Sequence, residues 1–167
     1  IVGIRKDQYG AFAYPDDKPG SAKTVGETLY DLMAENKWAG AKRWAEQADR
    51  IAPTLVGGSK KHGGPDLGPT RARNAWAELG IDGRGIADAA PTPDFEGMPR
   101  LTSRMMARIQ GFPDTWTFGS RKTVACRMIG NAFPPPVAKA VGEQIKECLA
   151  HGCADSQSKI SLSRAVI

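Results

Sequence analysis

The chain has 167 residues, a formal net charge of +5 and 41% hydrophobic residues. This content supports a packed core and excludes a disordered chain, and the length gives room for one ordinary domain or two small lobes. The positive balance permits nucleic-acid contact and equally fits a solvated basic surface. Cys126, Cys148 and Cys153 make an odd count without CxxC spacing, which argues against a disulfide framework or a zinc site and fits a reducing cytosol. No metal ligand set is assigned. No apolar run approaches the roughly 18 residues that span a bilayer, and none reads as a signal peptide.

Ile1 to Ile4 is a short β-prone run, followed by the charged Arg5-Lys6-Asp7. Tyr9 to Gly20 carries Tyr14-Pro15 and Pro19-Gly20 and reads as a loop. Thr24 and Glu27 form a capping-box pattern, and Val25, Leu29, Leu32 and Met33 follow at helical spacing, which predicts a helix to about Glu35. A second helix is predicted from about Gly40 to Arg50. Trp38 and Trp44 are read as core residues, because large aromatics dominate burial in a small core.

Ala52 to Val56 is a strand candidate. It feeds a Gly-rich, basic segment from Gly57 to Pro69 that contains Ser59, Lys60, Lys61 and His62. The order is not that of a phosphate-binding P-loop. Two readings fit: a solvated loop, or a DNA-contacting loop whose lysines neutralise phosphates. Pro69 to Leu79 is a predicted helix stopped by Gly80. Arg71 and Arg73 in its first turns oppose the helix dipole, which a bound phosphate would offset; an ordinary exposed pair fits equally. Ile81 to Gly85 is a turn, and Ala87 to Gly97 is a Pro- and Asp-rich connection.

Thr102 is placed as the N-cap of a short helix over Ser103 to Gln110, with Met105, Met106 and Ile109 on its apolar side. Gly111 and Pro113 end it. Gly130-Asn131 reads as a tight turn. A last helix is predicted from about Pro135 to Ala150, with Val137, Val141, Ile145, Cys148 and Leu149 as its stripe and Gly152 as its end.

The stretch from Arg100 to Pro136 resembles motifs IX and X of the DNA (cytosine-5) methyltransferases. Leu101, Thr102, Arg104, Ala107, Arg108, Gln110, Gly111, Phe112, Pro113 and Asp114 match motif IX. Gly130, Asn131, Ala132, Pro134 and Pro135 match motif X. Ile1 to Asp7 is similar to the residues just after the motif VIII core. The family's motif IX glutamate falls at Met105 and its motif X glutamine at Met128. Loss of the glutamate predicts a weaker capping box, by about 0.5–2 kcal/mol.

The resemblance implies an α+β arrangement: a small mixed recognition lobe of short strands and helices, plus a C-terminal helix belonging to an α/β, Rossmann-like lobe. It divides the chain into 1–23 (end of motif VIII and a linker), 24–99 (target recognition), 100–152 (motifs IX and X and the return helix) and 153–167 (a flexible tail). It implies that Gly130, Asn131 and Ala132 complete an S-adenosylmethionine pocket, presenting backbone N–H groups and an amide to the methionine carboxylate. Ser59, Lys60, Lys61, His62, Arg71 and Arg73 are its candidate DNA contacts. Thr102, Arg104, Arg108 and Gln110 brace motif IX.

Chemistry at cytosine C5 needs a Gly-rich cofactor loop, a Pro-Cys nucleophile and a Glu-Asn-Val acid. None of these is in the sequence, so no catalytic residue is assigned. The expectation is the C-terminal part of such an enzyme, inactive alone. It would work on double-stranded DNA with an N-terminal catalytic part or separate catalytic subunit, in a bacterial restriction–modification system located in the cytoplasm near the nucleoid. Two other readings stand beside it: a basic DNA-binding module, and a subunit that serves association.

Overall fold

A computed structural model describes residues 1–5, 12–16, 22–57, 64–119 and 121–163, with side chains as far as residue 150. Six helices follow in order: α1 (Val25–Met33), α2 (Ala41–Gln47), α3 (Thr70–Ala77), α4 (Ser103–Ile109), α5 (Lys122–Asn131) and α6 (Pro135–Ser163). They fall into two compact units, Pro19–Pro134 and Ile1–Lys18 with Pro135–Ile167.

The first helix of the larger unit begins at the Thr24 capping box. Thr24 Oγ1 accepts from the Glu27 N–H at 3.2 Å, and Glu27 Oε2 accepts from the Thr24 N–H at 2.8 Å. The next two amides are satisfied from outside the helix. Val25 donates to the Arg50 carbonyl and Gly26 to the Ala48 carbonyl, both at 2.9 Å. The chain leaving α2 therefore closes the N-terminus of α1. Gly26 permits this approach, since a Cβ there would lie 2.1 Å from the Ala45 carbonyl oxygen.

Val25, Leu29, Leu32 and Met33 of α1 are buried, as their spacing predicts. They share one core with Trp38, Trp44, Trp76, Leu101, Met105, Met106, Ala125, Cys126 and Ile129. Trp38 and Trp44 are core residues, and Trp38 Nε1 donates to the Phe95 carbonyl at 2.9 Å. Trp76 of α3 is fully buried, and Gly80, at φ +68°, ends that turn of chain as expected. Burying each such side chain stabilises by about 1.5–3 kcal/mol.

The described residues are mostly helical, and the two strand candidates form no named strand there. Among the described residues there is no named strand, only one parallel bridge between Ala87 and Thr102, made by the Ala87 N–H to the Leu101 carbonyl at 2.9 Å. Ile1–Ile4 and Ala52–Val56 have strand composition, but a strand exists only where a neighbouring backbone completes the ladder. A correction concerns Gly130-Asn131. The pair is not a tight turn but the final turn of α5, and the chain bends at Ala132 before Pro135 opens α6.

In the second unit α6 runs through Gly152 to Ser163, so that glycine does not end it. Its stripe is narrower than predicted. Cys148 is buried and Val141 and Ile145 are half-buried, whereas Val137 and Leu149 are exposed. Lys139 and Glu143 pair at 3.9 Å on the outward side. None of the helices among the described residues is long and apolar enough to cross a membrane.

Candidate functional site

Thr102 caps α4 as predicted, its Oγ1 accepting from the Met105 N–H at 3.2 Å. The reciprocal bond is also present. Met105 Sδ stands where a glutamate carboxylate would reach, and it accepts from the Thr102 N–H at 3.4 Å. The capping box is thus retained with a thioether, a weak acceptor. Met105 is 1% exposed, so its side chain serves the core and the cap together.

Arg104 and Arg108 stand one turn apart on α4 and face α1. Arg108 forks onto Asp114, with Nε to Oδ1 at 2.9 Å and Nη2 to Oδ2. Its Nη1 reaches both the Asp31 carboxylate and the Thr28 carbonyl. Arg104 bonds Glu35 Oε1 at 3.1 Å and Asp114 Oδ2 at 3.4 Å. Hydrogen bonds from Arg108, then its charge, hold the Asp114 carboxyl below its ordinary range. At Asp31 burial raises the carboxyl, but the bond and charge of Arg108 outweigh it and the net shift is downward. Arg108 itself is pushed up, chiefly by its bond to Asp114. The two arginines differ in depth: the Arg108 side chain is 20% exposed and that of Arg104 48%. Asp31 and Glu35 were missed in the sequence. Their signal is their spacing with Thr28, which sets Thr28 and Asp31 on one face of α1 and Glu35 in the turn just past its C-cap Ala34.

Gln110 Nε2 donates to the Ala132 carbonyl at 2.9 Å, which joins the end of α4 to the end of α5. At that end Gly130 is half-buried, Asn131 is exposed and the Ala132 N–H donates to the Ile129 carbonyl at 3.2 Å. A helix C-terminus offers carbonyl oxygens and the negative end of the dipole. The three residues therefore do not suit a carboxylate through their N–H groups. The face of Gly130 where a Cβ would stand is occupied by Gly57, whose nitrogen would be 2.4 Å away. That leaves Asn131 and the carbonyl end of α5 as the surface a cofactor could meet.

Arg71 and Arg73 lie in the first turn of α3, whose N-cap Pro69 supplies no side-chain bond. Arg71 is exposed. Arg73 is half-buried, donates to Thr70 Oγ1 at 3.2 Å and packs its stem where a Cβ on Gly83 would stand. Neither pairs with a carboxylate among the described residues. Ser59, Lys60, Lys61 and His62 lie outside the described residues. Cys126 is buried with its Sγ 3.7 Å from Met106 Sδ, and burial pushes its thiol up, the reverse of what a nucleophile needs. Among the described residues there is no cluster of three or more His, Cys, Asp or Glu that could hold a metal ion.

Residues 1–147 match the family described as C-5 cytosine-specific DNA methylase. The chain is 60% identical over 152 residues to the type II methyltransferase M.NaeI of Lentzea aerocolonigenes, covering 89% of this chain and 37% of that protein. It is 47% identical over 152 residues to the type II methyltransferase M.NgoMIV of Neisseria gonorrhoeae, covering 89% of this chain and 48% of the relative. Over 58 residues, 35% of the chain and 4% of the relative, it is 47% identical to DNA (cytosine-5)-methyltransferase 1 of Mus musculus. The chain thus spans between about a third and a half of the length of its two bacterial relatives. No solved structure matches it. With the motif IX helix, the motif X residues and a family match over most of its length, the chain belongs to the C-5 cytosine-specific DNA methylase family.

Proposed function

We propose that this chain is the target-recognition region, with motifs IX and X, of an S-adenosylmethionine-dependent DNA (cytosine-5) methyltransferase of a bacterial restriction–modification system. The observation that carries this reading is the Gln110–Ala132 bond, because it ties the two motifs into one joint. The names of the two bacterial relatives support the restriction–modification assignment. Arg104 and Arg108 brace that joint against α1, the first helix of the recognition region.

S-adenosylmethionine supplies the methyl group when bound. The carbonyl end of α5 and Asn131 would meet the ammonium of its methionine part, a positive charge that the helix C-terminus favours. Lys60, Lys61, His62 and Arg71 would meet phosphates of duplex DNA, with Ser59 beside them, while Arg73 holds the first turn of α3. The thiolate that attacks C6 and the acid at N3 come from a catalytic part of the Rossmann-like lobe, in the same protein or a separate subunit, in the bacterial cytoplasm.

The test is methyl transfer from labelled S-adenosylmethionine to duplex DNA. The full gene product, or this chain mixed with a part carrying the Gly-rich loop and Pro-Cys, should transfer methyl groups to cytosine C5, and this chain alone should not. Duplex binding without any transfer in the complete system would favour a plain DNA-binding module instead.

A further inference from the structure

The basic Gly-rich segment has a neck that is described on both sides. Leu55 and Leu67 are buried at 5% and 0% exposure, and the Leu67 N–H donates to the Gly83 carbonyl at 3.0 Å. Between these anchors Val56 lies against Gly68. A Cβ on Gly68, which has φ +101°, would be 3.2 Å from Val56 Cβ and 3.5 Å from Ala72 Cβ in the first turn of α3.

The next residue, Gly57, meets the end of α5. A Cβ on Gly57 would lie 2.5 Å from Asn131 Oδ1 and 2.6 Å from the Asn131 backbone nitrogen. In the other direction, a Cβ on Gly130 would lie 2.4 Å from Gly57 N and 2.6 Å from Gly57 Cα. Neither glycine has positive φ. Backbone freedom therefore does not account for glycine at either place, whereas close approach does. Two backbones touch with no side chain between them, so nothing compressible separates them.

These contacts form one packed row from α5 through Gly130, Gly57, Val56 and Gly68 to the turn of α3 that carries Arg71. We infer that Gly57 and Gly130 are positioning residues that couple duplex DNA binding to S-adenosylmethionine binding. The inference rests on the reading above, which gives the first turn of α3 to DNA and the end of α5 to the cofactor. A shift of the neck on DNA binding has to move Asn131, and a cofactor that fixes Asn131 fixes the neck.

The test measures the Kd of the full gene product for S-adenosylmethionine with and without saturating duplex, alongside thermal unfolding. In the wild type, duplex should tighten cofactor binding by about fivefold or more, within the usual range of intersite coupling. Gly57→Ala should bring that ratio to within about twofold of unity. Gly64→Ala, at the far side of the same segment, should keep the wild-type ratio, because among the described residues its Cβ would meet only Asp66 Oδ2, at 3.9 Å. Should Gly57→Ala fail to fold, Val56→Ala decides. It loosens the neck without crowding and should give an intermediate ratio. A wild-type ratio of one overturns the proposal, as does a ratio in Gly57→Ala or Val56→Ala equal to that of Gly64→Ala with both ligands bound. Absence of binding to either ligand in the wild type removes the functional reading itself and the inference with it.

Discussion

Gln110 and Ala132 lie 22 residues apart in sequence, and the 2.9 Å bond from the Gln110 side chain to the Ala132 carbonyl closes a ring of chain that contains α5. Gln110 is the last residue of the α4 turn, so the bond fixes where α5 ends relative to the helix braced by α1. Gln110→Leu keeps the bulk and removes the donor. It should cost about 0.5–1.5 kcal/mol in urea unfolding. In the full gene product it should weaken S-adenosylmethionine binding by more than that loss predicts, because the end of α5 is set free. An equal or smaller effect on the cofactor would reduce Gln110 to a stability role.

Arg108 and Arg104 carry the same charge one turn apart but should respond differently to lysine. Arg108 is largely buried and uses its fork on Asp114 while reaching Asp31 and the Thr28 carbonyl. A lysine offers a point charge and cannot reproduce that geometry. Arg108→Lys should cost about 1–3 kcal/mol. Arg104→Lys exchanges half-exposed ion pairs and should stay within about 1 kcal/mol. Similar losses for both in denaturant titration would show that depth does not separate them.

The Met105 cap can be measured by Met105→Leu, which keeps the volume and removes the sulfur acceptor. The Thr102 N–H then has no acceptor from this side chain, and the cost should be up to about 1.5 kcal/mol. Thr102→Ala removes the opposite bond and should cost about 0.5–2 kcal/mol. If Met105→Leu leaves thermal stability unchanged, the sulfur contact is only packing.

Local grammar was readable because its partners are close in sequence. The Thr24–Glu27 box and the Thr102 cap each close within three residues. The α1 stripe was readable because burial follows its period. The same locality misled at Gly130-Asn131. The dipeptide signals a turn, yet Ala125, Cys126 and Ile129 are buried behind it and draw the pair into α5. The strands were misjudged because pairing depends on a neighbour that composition does not specify. Met105 was read as a loss because motif comparison weighs the missing carboxylate and not the sulfur. Gly57 against Gly130 could not be read at all, since nothing in either local pattern names the other.

Asp82 gives a pH dependence whose sign is fixed. Its carboxylate accepts from the Arg84 N–H at 3.1 Å, from Arg84 Nε at 2.9 Å and from Arg100 Nε at 3.0 Å, and its side chain is 11% exposed. The bonds from Arg84 come first in holding its carboxyl well below the usual range, against the opposing effect of burial. A depressed folded value means stability that is fully present above the unfolded value of about 3.9 and lost as pH falls through the folded one. Unfolding free energy should therefore drop below about pH 4. Asp82→Asn should cost about 1.5–3 kcal/mol at neutral pH and flatten that acid slope. An unchanged slope would assign acid sensitivity to Asp31 and Asp114, which are depressed in the same direction.

Arg71 and Arg73 separate DNA contact from structure within a single turn of α3. Arg71 is exposed and has no carboxylate partner among the described residues, so its charge is available to a phosphate. Arg73 lays its stem on Gly83 and bonds Thr70, so truncation there removes packing as well as charge. Each phosphate neutralised contributes about 0.9 to the slope of log affinity against log salt on B-form DNA. Arg71→Ala should lower that slope by about 0.9 and leave the unfolding midpoint in place. Arg73→Ala should move the midpoint and change the slope less. The measurement is duplex binding by this chain over a salt series, with thermal unfolding of the same samples. If both substitutions leave the slope untouched, the first turn of α3 does not meet the DNA backbone, and the charge at Lys60 and Lys61 must carry the binding alone.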